Sequence, residues 1–97
     1  MAESEVLRTA EEIIFGERAK TYGDAKTSFS TIADFWTTYI NKVLIDQNPK
    51  AEFSVVLSGH EVAMMMILMK VSRTTGSYHI DNYIDIAGYA ALAGEQL

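Results

Sequence analysis

Asp81 and Asp85 stand four residues apart, a spacing that projects both carboxylates from one face of a helix, about 40° apart around its axis. Paired carboxylates on a bundle helix can hold a hard cation such as Mg²⁺, which takes oxygen ligands. The same acids also suit the positive end of a helix dipole with no metal at all. Lys70 and Arg73 are three residues apart and share a face with Met66. Two cations placed so could clamp phosphate oxygens. Equally, they complement a helix C-terminus or pair with Asp81 and Asp85 across the intervening turn. That turn, Thr74 to Tyr78, brings the four residues close by connectivity alone. A polar pocket for a phosphate-bearing ligand is therefore expected there, with Mg²⁺ as its cofactor.

Other candidates lie further off. Glu61 follows Ser58 by three residues, the pattern of a capping box. It stands about 180° around the helix from Lys70, so the two do not readily face one pocket. The stretch from Arg18 to Asp24 joins two bases, Arg18 and Lys20, to Tyr22 and Gly23. Such a loop could grip a nucleobase and its phosphates, while Arg18 and Lys20 also suit a helix C-terminus. His60 and His79 have no second histidine at ligand spacing and there is no cysteine, so no zinc site is expected. No Ser/His/Asp arrangement, P-loop or GxGxxG occurs.

Four helices position these residues. Val6, Ala10, Ile13 and Ile14 recur at helical spacing, which predicts a first helix from about Ser4 to Lys20, stopped by Tyr22-Gly23-Asp24. Phe29, Ile32, Ala33, Trp36, Ile40, Val43 and Leu44 form a second stripe, with Thr27 or Ser28 as N-cap and a stop at Asp46 to Pro49. Glu52 to Leu57 reads either as a short extended stretch or as a helical turn. A third helix runs from Ser58-Gly59 to about Thr74 and is apolar around most of its circumference, so it is expected at the centre. The last starts near His79 and continues almost to Leu97. The expected architecture is an all-α small bundle of about four helices forming a single domain over residues 1–97. Its predicted core holds Phe29, Ile32, Trp36, Ile40, Met65, Leu68 and Ile84.

Composition narrows the function classes. Thirteen acids against eight bases give a net charge of −5, which repels phosphate backbones, so nucleic-acid binding is not expected. The 48% hydrophobic content suits a folded domain rather than a disordered chain. The acidic start, Met1 to Glu5, does not read as a signal peptide, and the apolar run Val62 to Met69 is too short to span a bilayer. A cytoplasmic protein without membrane contact is expected. The nearly all-apolar third helix predicts a homo-oligomer, dimer or tetramer, meeting through the methionines or through Ala87, Ala91 and Gly94.

The strings from Arg18 to Asp24, Phe29 with Ile32-Ala33 and Trp36, Glu61-Val62-Ala63, Lys70 with Arg73, and Asp81 through Gly88-Tyr89 resemble a family of small phage and prophage proteins. The resemblance covers the chain from about Glu11 to Ala93. Members of that family are similar to MazG-like nucleotide pyrophosphohydrolases, all-helical enzymes that bind Mg²⁺ through Glu-x-x-Glu and Glu-x-x-Asp pairs. The resemblance implies metal binding by Glu61, Asp81 and Asp85, catalysis at Asp85 and Asp81, and substrate binding by Arg18, Tyr22, Lys70 and Arg73. This sequence departs from the enzyme pattern in two places. Asn82-x-x-Asp85 replaces Glu-x-x-Asp, and methionines stand where an acidic partner of Glu61 is called for. Two functions follow. One is a Mg²⁺-dependent nucleoside triphosphate pyrophosphohydrolase or nucleotide-binding protein. The other is a non-enzymatic phage accessory or anti-defence protein that sequesters a nucleotide signal or binds a host protein.

Overall fold

The computed structural model describes residues 4–16, 25–76 and 78–96. They form four α helices, in chain order α1 (Glu5–Phe15), α2 (Ala25–Gln47), α3 (Gly59–Ser72) and α4 (Ile80–Glu95). No strand occurs among the described residues. None of the helices is long and apolar enough to cross a membrane.

Each helix begins or ends for a local reason. The Ser4 hydroxyl caps α1 by accepting the Leu7 N–H at 3.3 Å, and Glu5 adds an acid to the first turn. Helix α1 closes at Gly16, and its expected extension to Lys20 falls outside the described residues. Helix α2 starts at Ala25, two residues before the expected cap at Thr27 or Ser28. Thr31 and Thr38 sit inside it, their hydroxyls donating to the Thr27 and Asp34 carbonyls one turn back. At Ser58 the capping box is present: Glu61 accepts the Ser58 N–H at 2.9 Å and the Ser58 hydroxyl as well. Gly59 is needed there, because a Cβ would come within 2.7 Å of Gln96 Oε1 and 3.2 Å of Phe29 Cβ.

The stretch 52–57 is extended. Its hydrogen bonds are supplied by α2: the Asn41 amide donates to the Val55 carbonyl and accepts its N–H, both at 2.8 Å, and the Leu57 N–H donates to Thr37 Oγ1 at 2.8 Å. One polar side chain thus stands in for a neighbouring strand and fixes how the chain enters α3.

Packing runs in the order α1, α4, α3, α2. Helix α4 packs against both α3 and α1, α3 also packs on α2, and α2 touches α4 only lightly. Among the described residues the ring of helices is therefore open between α1 and α2. Its core is small: Ala10, Ala33, Val62, Ala63, Ile84 and Ala93, with Val62 and Ala63 wholly buried. Of the expected core residues only Ile84 is fully buried; Phe29, Ile32, Trp36 and Ile40 are half-buried. Met65 and Leu68 are corrected to exposed positions, 39% and 66% accessible. Helix α3 is covered by α2 and α4 on the side of Val62 and Ala63, and Leu68 points away from both.

Candidate functional site

Helices α3 and α4 are antiparallel, joined by a turn in which Gly76 takes a φ of +83°, a conformation that side-chain-bearing residues rarely adopt. Arg73 caps α3, its N–H donating to the Lys70 carbonyl at 3.0 Å. Asn82, buried in the first turn of α4, reaches back with Nδ2 to the Arg73 carbonyl at 3.4 Å. This geometry aligns the two helices so that Lys70 Nζ meets Asp85 Oδ2 at 2.8 Å. The side chains are 15% and 32% accessible, so water screens the pair only in part.

Of the four expected residues, Lys70 and Asp85 are in contact. Arg73 and Asp81 are exposed, and among the described residues neither forms an ion pair. Glu61 sits at the opposite end of α3, nine residues from Lys70, which is about 13 Å along the axis. Its carboxylate is occupied by Ser58, and those hydrogen bonds hold its pKa below the ordinary value of 4.5. No group of three or more acids and histidines able to hold a metal ion occurs among the described residues. Glu61 therefore does not join Asp81 and Asp85 within one protomer. Arg18 and Tyr22 lie outside the described residues.

Asp85 also faces the gap between α1 and α2. A cavity of about 540 Å³ opens there, walled by Ile14 and Phe15 of α1, Phe29 and Ile32 of α2, Met66 of α3, and Gly88 and Tyr89 of α4. The Phe29 and Tyr89 rings lie 6.3 Å apart, tilted by 31°. Its size falls within the range of small-molecule sites. Its polar groups are few: Ser28, Asp85 and Glu95. Two carboxylates on the wall and one ammonium held by Asp85 make it unfavourable for a bare anion and favourable for one that arrives with a cation. Sequence reasoning missed this cavity. Phe29 was visible only as an apolar position, and Gly88 and Tyr89 only as part of the string shared with a phage family.

The comparisons with known proteins agree on one lineage. A family model described as "Domain of unknown function (DUF6378)" matches residues 5–97. The chain is 42% identical over 88 residues to the Gene 55 protein of Mycobacterium phage L5, covering 90% of this chain and 49% of that protein. It is 38% identical over 91 residues to the Gene 55 protein of Mycobacterium phage D29, covering 93% of this chain and 51% of that protein. The chain thus spans about half the length of the curated relatives it matches. No solved structure matches it.

Proposed function

This chain belongs to a phage protein family, DUF6378, and from that premise we propose that it is a nucleotide-binding protein whose ligand enters the cavity between α1 and α2 with Mg²⁺. The observation that carries the reading is the Lys70–Asp85 pair, partly shielded from water, with Asp85 on the wall of an otherwise apolar cavity. An apolar space with few polar anchors is what holds the flat body of a base, and the aromatic side chains of Phe29 and Tyr89 are among its walls. The resemblance to MazG-like pyrophosphohydrolases points the same way, because those enzymes take nucleoside triphosphates with Mg²⁺.

The residues present fit a metal that is carried in by phosphates rather than caged by protein. Mg²⁺ keeps much of its water shell and is commonly held by one or two carboxylates together with substrate phosphates. Asp85 would supply the inner carboxylate and Asp81, one turn away on the same face, the outer one. A cation held there would supply positive charge against the phosphate charge that Asp85 and Glu95 repel. Lys70, paired with Asp85 in this structure, would be the cation placed to donate to phosphate oxygens.

The test is a thermal-shift and turnover assay of the purified protein with a panel of nucleoside mono-, di- and triphosphates, with and without Mg²⁺. The expected result is stabilisation by a triphosphate only when Mg²⁺ is present, abolished in Asp85→Asn. That variant itself should unfold only about 1 kcal/mol more easily, the scale of a partly exposed ion pair. Chromatography of the same mixtures shows whether the nucleotide is held intact or cleaved to a monophosphate and pyrophosphate. No shift with any nucleotide, or an equal shift for wild type and Asp85→Asn, would sink the reading.

A further inference from the structure

The cavity between α1 and α2 has two chemically unlike ends. At one, the Asp85 carboxylate is engaged by Lys70 Nζ at 2.8 Å. Towards the other stands Glu95, ten residues further along α4, which is about 15 Å down the helix axis. Among the described residues Glu95 holds neither an ion pair nor a side-chain hydrogen bond. The first turn of α2 closes this end, because Gln96 Oε1 and Phe29 Cβ both lie within 3.2 Å of the point that a Cβ on Gly59 would occupy. Ser28 and Phe29 therefore belong to the Glu95 end of the wall, and the Phe29 ring lies 6.3 Å from that of Tyr89. An acceptor-only group that no cation engages thus stands beside two aromatic side chains.

We propose that Glu95 selects guanine, so that the ligand is a guanine nucleotide with its base at Glu95 and its phosphates at Lys70 and Asp85. The inference rests on the nucleotide reading above and adds the identity of the base. Phosphates are drawn to the Lys70 ammonium and repelled by Glu95, which fixes the direction in which the nucleotide lies. The separation of the two ends matches the reach of an extended nucleoside triphosphate from base edge to last phosphate. A carboxylate accepts two parallel N–H bonds, as it does from arginine. Guanine alone among the common bases carries two N–H donors side by side, N1–H and the 2-amino group. Adenine and cytosine set an amino group next to a bare ring nitrogen, whose lone pair would face the second carboxylate oxygen. Uracil and thymine present one N–H between two carbonyls, and a carboxylate repels both. The Ser28 hydroxyl both donates and accepts, so the choice of base falls to Glu95.

Calorimetric titration of the full chain with GTP, ITP and ATP in the presence of Mg²⁺ tests it. ITP is GTP without the 2-amino group, so the ratio of the two affinities isolates the second hydrogen bond. The wild type should bind GTP about tenfold more tightly than ITP, the scale of one hydrogen bond to a charged group, and ATP more weakly again. In Glu95→Gln, whose amide offers one acceptor and one donor, the ratio of GTP to ITP should fall to near one. Glu95 is exposed, so the helical circular dichroism of that variant should match the wild type. The ratio is the readout because removing a negative charge also tightens every triphosphate. Asp85→Asn, at the phosphate end, should weaken GTP and ITP alike. Equal binding of GTP, ITP and ATP by the wild type, or a GTP preference that survives in Glu95→Gln, would overturn the proposal and leave the nucleotide site standing. Binding of no nucleotide at all would remove the site, and the proposal with it.

Discussion

Asp85 was legible from sequence because a short turn between two helices must bring their ends together, and Lys70 came with it. Arg73 and Asp81 were read by the same logic and end up exposed: Arg73 is the residue that caps α3, and Asp81 lies one turn nearer the connecting turn than Asp85. What aligns the hairpin is Asn82, a buried amide whose role no spacing rule announces. Glu61 shows the opposite case. Ser58-x-x-Glu61 states its own structural purpose, and the cap forms as read. Because hydrogen bonds from Ser58 lower the Glu61 pKa below 4.5 in the folded state, its contribution to stability is present above that value. It is lost as the pH falls through the lower folded value. Melting curves of wild type and Glu61→Gln should therefore differ at pH 7 and converge as the pH falls through the lowered folded value. Curves separated equally at every pH would contradict the assignment.

At the level of elements, helical periodicity located all four helices, and it also named residues as core that are not. Periodicity identifies the apolar side of a helix but not whether a neighbour covers it. Met65 and Leu68 share a thoroughly apolar helix with Val62 and Ala63, yet α2 and α4 cover only the latter two. The 52–57 stretch could not be assigned because its hydrogen-bond partners lie 14 to 20 residues away on α2. Asn41 supplies two bonds there, each contributing about 1 kcal/mol. Asn41→Ala should accordingly destabilise the protein by roughly 2 kcal/mol and erase hydrogen-exchange protection at the Val55 amide. Retained protection at Val55 would mean that the segment is held by something other than α2.

Across the described residues, the packing order α1, α4, α3, α2 leaves one side of the bundle open, and the cavity lies there. An opening between helices has no signature in the chain, because it depends on which elements fail to meet. That is why the acidic end of the site was visible from sequence and its apolar wall was not. The central claim is that the cavity is a nucleotide site. It is tested most directly by mapping amide chemical shifts of the isotope-labelled protein as a nucleoside triphosphate and Mg²⁺ are added. Saturable shifts gathered at Phe29, Met66, Lys70, Asp85, Gly88 and Tyr89, with Phe53 to Val56 unmoved, are the predicted result. A spectrum that does not change, or shifts confined to the exposed Phe35–Tyr39 face, would contradict it.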